Sequence, residues 1–364
     1  MNPNPLLGVI FHWLGGLSSA SFYVPYKRIR LWSWEIFWLT GGIFSWVIAP
    51  WIGALVGTKD LFHVLAAGSM APATVWGVTV PCYVACILCG ALWGAGGLTF
   101  GLTMRYLGLS LGMAVALGLT TVIGTLGPPL LNGTLGAVAA KPGSFYTFLG
   151  IAVVLVAIGI VALAGHFKEK ELPSDAAGRS EFNLTKGLLI AVFSGVMSSF
   201  FAFGLDFGTP IKDASLKAGT GQLWGGLPVL CVVLIGGFAT NLVCSLYLIL
   251  KNGSAAQWWG KSTVPAERVP LAANYGLAAL GGTLWYFQFF FYTMGESQMG
   301  KFGFSSWTLH MGSIILFSTL WGFALSEWKG TSARTRALVW LGILSLVAST
   351  IIIGYGNFIA SRAG

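Results

Sequence analysis

The chain has 364 residues, 55% hydrophobic and 9% charged, with a net charge of +9. So little charge cannot cover the surface of a soluble protein of this length, which excludes the soluble globular classes. The basic excess has the character of membrane-loop anchoring, and nothing else in the chain supports a nucleic-acid partner.

Apolar runs of about twenty residues recur with short polar breaks, the pattern of an all-α polytopic membrane protein. Barrel strands would alternate over about ten residues, and these runs do not. Ten spans are predicted, at roughly 5–24, 35–57, 79–103, 109–131, 146–165, 186–208, 222–250, 271–295, 304–327 and 335–358. No lysine or arginine precedes the first run and no small-residue cleavage site follows it, so it reads as a retained span rather than a signal peptide. The stretch from Phe62 to Val80 is only weakly apolar and reads as a surface or re-entrant segment. The seventh run is long enough to tilt. The 51 glycines suit helices that approach closely in lipid. Cys82, Cys86, Cys89, Cys231 and Cys244 all lie in apolar runs and read as small buried side chains, with no metal or other cofactor expected.

Charge sets the direction. Loops after odd-numbered spans carry Lys27, Arg28, Arg30, Arg105, Lys168, Lys170, Arg179, Lys186, Lys251, Lys261, Arg268, Lys329, Arg334 and Arg336. These are fourteen of the twenty basic residues. Lys59, Lys141, Lys212, Lys217, Lys301 and Arg362 fall on the other side. Positive loops stay inside, so both termini are predicted on the periplasmic side of a bacterial inner membrane.

The longest charged connection, HFKEKELPSDAAGRSEFNLTKG, falls mid-chain. It divides a first five-helix repeat (1–165) from a second (186–364), with 166–185 as a cytoplasmic linker. Echoes support a duplication: GLSSASF at 16–22 and GVMSSFF at 195–201, LCGALW at 88–93 and LGGTLW at 280–285, GTLG at 124–127 and STLW at 318–321. Five is odd, so the second half enters the membrane from the opposite face. Such an inverted-topology repeat gives two nearly equivalent conformations open to opposite sides, which is what a carrier needs and an enzyme does not.

An ionisable group in hydrocarbon costs about 2.5 kcal/mol or more, so each one needs a partner, a wet cavity or a role. His12 and His310 lie at similar depths in the first and ninth spans and are predicted to face one cavity. Each is either a proton-coupling and substrate-contacting group or a neutral packing histidine. Asp206 and Glu296 close the sixth and eighth spans on the outer side, with Lys212 or Lys301 as candidate partners. Either acid is a vestibule residue or, if its helix unwinds at the adjoining glycine, a proton carrier. Glu35, at the start of the second span, can pair with Lys27, Arg28 or Arg30. Arg105 and Glu327 complete an inner rim of gating or anchoring charges.

Uncharged residues point to the cargo. Ser19 and Tyr23 stud the first span; Asn274, Trp285, Gln288 and Tyr292 stud the eighth. Trp285 and Tyr292, seven apart, share a helix face with Gln288 between them. Aromatic faces beside an amide suit a small neutral sugar or polyol, and the lipid bilayer is the only other partner expected, with no obligate protein partner evident.

Several stretches are recognisable: FHWLGGLSSASFYVPYKRIRLWSWE, GLTMRYLGLSLGMAVALGLTTVIGTL, SEFNLTKGLL, GGTLWYFQFFFYTMG and SSWTLHM. Over essentially its full length the chain resembles the bacterial L-rhamnose–proton symporter family, within the drug/metabolite transporter superfamily. The resemblance implies ten spans and import of L-rhamnose, in some members L-lyxose, with a proton. It carries over to His12, Phe22, Tyr23, Lys27, Trp32, Trp34, Glu35, Arg105, Asn274, Trp285, Gln288 and His310. The chain departs from the enterobacterial pattern at Asp206, where asparagine is expected, at Glu296 (histidine) and at Thr209 (lysine). These departures leave another deoxy-sugar or sugar alcohol open as cargo, and the superfamily also includes multidrug and metabolite exporters.

Overall fold

The computed structural model describes residues 3–75, 77–107, 109–172, 183–261, 267–326 and 328–362. In chain order the elements are α1 (Pro5–Ser21), α2 (Tyr23–Tyr26), α3 (Trp34–Ile43), a π-helical stretch Phe44–Ile48 and α4 (Ala49–Gly57). Then come α5 (Leu61–Ser69), β1 (Pro72–Val75), β2 (Val78–Pro81), α6 (Cys82–Leu107), α7 (Leu109–Leu131), α8 (Leu135–Ala139) and α9 (Ser144–Glu171). Then follow α10 (Leu184–Phe207), α11 (Thr209–Lys217), α12 (Leu227–Asn252), α13 (Leu271–Gln298), α14 (Ser306–Ala324) and α15 (Ala333–Arg362); α9 runs through the first six residues, 166–171, of the predicted linker.

Each of the ten apolar segments overlies a helix. The chain is an all-α polytopic membrane protein. Among the described residues, seven segments are long and apolar enough to cross a bilayer: Pro5–Tyr26, Trp34–Gly57, Cys82–Thr103, Ser144–Glu171, Leu184–Lys217, Gln222–Asn252 and Ala333–Ala360. Helix α7 and helices α13 and α14, the last two of 28 and 19 residues, stand outside this set. Polar residues such as Asn274, Gln288, Ser306 and His310 dilute α13 and α14.

The weakly apolar stretch after the second span is α5 followed by an antiparallel hairpin, with Ala73 opposite Val80 and Thr74 opposite Thr79. Helix starts follow local chemistry. Asn4 accepts a hydrogen bond from the Leu7 amide with Pro5 next in line, and Asn183 accepts from the Lys186 amide. Gly253, at φ 62°, ends α12 in the left-handed conformation that side chains resist.

In lipid there is little hydrophobic drive between helices, so contact relies on small residues that admit a neighbouring backbone. A methyl group at Gly282 would overlap the Gly41 carbonyl, joining α13 to α3, and one at Gly236 would overlap the Ile87 carbonyl, joining α12 to α6. Packing pairs include α10 on α6 and α7, α1 on α13 and α14, α6 on α12, α7 on α9, α11 on α5, α13 on α3 and α4, and α9 on α15. Many hydroxyls are satisfied on their own helix: Thr40 donates to the Ile36 carbonyl at 2.7 Å and Thr319 to Ile315 at 2.7 Å.

Candidate functional site

A cavity of about 230 Å³ opens between the ends of α7, α10, α11 and α13. Asp206 and Glu296 both line it, as do Asn132, Lys212, Tyr292 and Trp307. Asp206 sits in the last turn of α10, where its carboxylate accepts a hydrogen bond from Asn132 Nδ2 at 2.9 Å. Glu296 takes Lys212 as its partner, at 2.8 Å, with the two side chains 33% and 26% exposed. Both acids therefore line the cavity, each with a donor attached. Thr125 and Thr308 share a hydroxyl–hydroxyl hydrogen bond of 2.7 Å next to the Trp307 ring, whose Nε1 donates to the Thr120 carbonyl.

Tyr292 forms the inner wall. Its ring contacts His12 at 5.5 Å between centroids, His310 at 5.3 Å and Trp307 at 5.8 Å. The two histidines stand 6.4 Å apart. They meet as the matched depths predict, but behind the cavity rather than facing it, because the Tyr292 ring occupies the intervening space. Both are buried, and none of their four ring nitrogens has a hydrogen-bond partner. Buried polar atoms are almost always partnered, which makes the paired imidazoles candidates for a functional role. Ser313 fixes their backbones: its hydroxyl lies 2.8 Å from the His12 carbonyl and 2.7 Å from that of His310. Gly15 and Gly16 bring α1 against His310 and Ser313.

The remaining sequence candidates separate. Gln288 is buried with Nε2 unpartnered, and Trp285 Nε1 is also unpartnered. The Trp285 ring lies 4.2 Å from that of Phe22. Asn274 is spent on the loop backbone: it donates to the Arg30 carbonyl at 2.8 Å and accepts from the Arg30 amide at 3.3 Å. Glu35 is held by neutral donors, Asn252 at 3.0 Å and Ser254 at 2.8 Å. Ser19 is buried on α1, whereas Tyr23 is 43% exposed beside Phe22 and Tyr26. Lys27 is exposed just past α2. Arg105 falls in the last turn of α6, but its side chain, like Glu327, Arg179 and the Lys301 side chain, lies outside the described residues.

Asn132 and Trp307 were not legible as site residues. Asn132 follows LGPPLL, where the only signal is a polar residue just beyond a proline-bearing helix end. Trp307 is one of 16 tryptophans. Cys82 and Cys86 donate weakly to the Phe207 and Gly204 carbonyls of α10, and among the described residues no cluster of histidine, cysteine or acids is placed to hold a metal ion.

Residues 1–359 match the family model described as L-rhamnose-proton symport protein. The chain belongs to this family. A relative from Cronobacter sakazakii named L-rhamnose-proton symporter is 37% identical over 353 residues, covering 96% of this chain and 97% of the relative. Relatives of the same name from Yersinia pestis and Yersinia pseudotuberculosis are 36% identical over 359 residues, covering 98% and 99%. Membership makes the chain a carrier rather than an enzyme. In this family member, the cavity acids, the Tyr292 ring and the two buried histidines follow one another along α13 and its neighbours.

Proposed function

We propose that the chain imports L-rhamnose in symport with a proton across the bacterial inner membrane, by alternating access and with the proton as its only coupling ligand. One observation carries this reading. A polar cavity with two carboxylates ends on Tyr292, and directly behind that ring lie two buried histidines without hydrogen-bond partners.

The sugar rests on the Tyr292 and Trp307 rings, with Asn132 and the two carboxylates offering directed hydrogen bonds to its hydroxyls. His12 and His310 hold the transported proton between them. Two cations 6.4 Å apart would repel by about 2–3 kcal/mol at an effective dielectric of 20, so the pair takes one proton at a time. Asp206 and Glu296 deliver it from the cavity. The other residues singled out on α1 and α13, Ser19, Gln288 and Trp285, lie on the route from the histidines toward the opposite face. Lys27, Glu35, Arg105 and Glu327 form the inner mouth.

A five-plus-five inverted repeat, with ten spans and both termini periplasmic, supplies the alternation. The packing supports it. Exchange of the halves replaces α1 by α10, α3–α4 by α12, α6 by α13, α7 by α14 and α9 by α15. Under that exchange α1 on α13 becomes α10 on α6, α1 on α14 becomes α10 on α7, and α6 on α12 becomes α13 on α3–α4. The α9–α15 pair maps onto itself. The unequal distribution of basic residues sets the orientation.

The test is uptake of labelled L-rhamnose into proteoliposomes with an inward proton gradient. Accumulation that a proton ionophore collapses, and that unlabelled L-rhamnose competes best, is the expected result. Binding without gradient-driven accumulation would remove the symport reading, and better competition by another sugar would reassign the cargo.

A further inference from the structure

About 10 Å beyond Tyr292 along α13, seven residues at 1.5 Å each, stands a second set of aromatic rings. Phe22, Tyr26, Trp38, Trp46 and Trp285 enclose a gap with Ser45 in its wall. The gap measures about 10 Å³, roughly the limit for one water. A relay of rings joins it to the cavity: Trp307 to Phe201 at 6.0 Å, Phe201 to Phe289 at 4.3 Å, and Phe289 to Trp285 at 6.3 Å.

Three features coincide in this box. The first is polarity. Ser45 Oγ, Trp46 Nε1 and Trp285 Nε1 are all buried without a hydrogen-bond partner, and Ser45 and Trp46 are only 2% and 3% exposed. Tryptophan usually finds a partner for its N–H when buried, as Trp38 does here on Asn241 at 3.0 Å. The second is backbone. Ser45 and Trp46 fall in the π-helical stretch Phe44–Ile48, directly before Pro50, which has no N–H to give the Trp46 carbonyl. The widened turn, closed by the Ala49 amide on the Phe44 carbonyl, is of a kind that recurs at functional sites. The third is space made on purpose. A methyl group at Gly42 would lie 2.5 Å from the Trp46 ring, so glycine there lets the indole fold back over its own helix.

We propose that this box is a second sugar subsite, the last station before release at the face bearing Lys27 and Arg30. The inference rests on the transport reading above. A pyranose presents apolar C–H faces that pack on indole rings and hydroxyls that accept from N–H donors, which is the chemistry the box leaves unused. In the present state it is collapsed, with Phe22 packed on Trp285 at 4.2 Å; withdrawal of Phe22, at the junction of α1 and α2, opens it. The large cavity is then closed, so the two sites are filled in turn.

Trp46→Phe keeps a ring and removes the N–H; Ser45→Ala removes one buried hydroxyl and serves where the first variant folds poorly. Half-saturation for L-rhamnose is measured in right-side-out and everted vesicles. Loss of one hydrogen bond worth about 1 kcal/mol predicts a roughly fivefold rise in half-saturation from the Lys27 face, with the value from the cavity face unchanged. Equal shifts from both faces, or none from either, would overturn the subsite while leaving the transport reading intact. If the unmodified protein shows no saturable L-rhamnose flux from either face, the transport reading falls and the subsite with it.

Discussion

His12 on α1 and His310 on α14 face each other at 6.4 Å between ring centroids, fully enclosed and with no ring nitrogen hydrogen-bonded. A pair built only for packing would be better served by apolar residues of similar volume, because each unsatisfied buried group costs about 1–3 kcal/mol. His310→Gln and His12→Gln, which keep an amide in the space, are each expected to abolish proton-driven accumulation of L-rhamnose while leaving exchange of labelled for unlabelled sugar. Normal accumulation in either variant would return that histidine to a packing role.

Asp206 works one step earlier in this scheme. Asp206→Asn removes a carboxylate that Asn132 holds, within a cavity that Glu296 shares. The expected outcome is accumulation reduced several-fold at neutral pH and restored at acidic external pH, where proton delivery no longer limits. A pH profile superimposable on that of the unmodified protein would make Asp206 a bystander of the vestibule.

The contact that holds the two histidine helices together is open to a steric test. A methyl group at Gly16 would overlap Ser313, backbone included, so the neighbour cannot simply rotate away. Gly16→Ala should cost about 1–3 kcal/mol and lower the Tm, because it forces α1 from α14. Ser313→Ala loses only the shared hydroxyl and should be milder. Thermal melts of the purified variants in detergent check the ranking.

Asn274 is a candidate substrate contact whose amide is fully engaged elsewhere. With both ends on the Arg30 backbone, Asn274→Ala should destabilise by about 1–3 kcal/mol and leave half-saturation for L-rhamnose within about twofold. A selective loss of affinity without loss of Tm would put the side chain back in the sugar's path.

Gln288 differs, since its Nε2 is buried and unpartnered. Gln288→Leu should raise half-saturation roughly fivefold or more while the proton-to-sugar ratio stays fixed, read from parallel sugar and pH-electrode traces. Unaltered half-saturation would exclude it.

Much of this arrangement is visible in the order of residues. Apolar runs locate the helices, because a span must hide its backbone within itself whatever surrounds it. The matched depths of His12 and His310 are legible for the same reason: distance from a helix end is counted in residues. What the sequence does not reveal is rotation about the helix axis. Tyr292 could as well have turned away, leaving the histidines in the cavity wall, and nothing local to YTMGE decides it. Cross-helix partners are equally hidden. Glu35 looks toward the basic run Lys27–Arg30 in sequence, yet its carboxylate rests on Asn252 and Ser254, more than two hundred residues away. The stretch from Phe62 to Val80 folds as a helix followed by a hairpin, and Gly77, at φ 85°, supplies the turn between β1 and β2.

In the proposed inverted repeat, the packing pairs that map onto one another when the two halves trade places carry a thermodynamic consequence. Contacts that reappear after the exchange contribute alike to both orientations of the carrier and cancel from the difference between them. The resting preference is then set by the few features without a counterpart. One is the nine-residue α11 where the first half has only the single turn of α2. Another is a histidine at position 12 where the echo at 195–201 places Ala191. Since about 1.4 kcal/mol shifts a two-state population tenfold, a single substitution at such an unmatched position can idle the carrier facing one way, with its fold and its binding groups untouched.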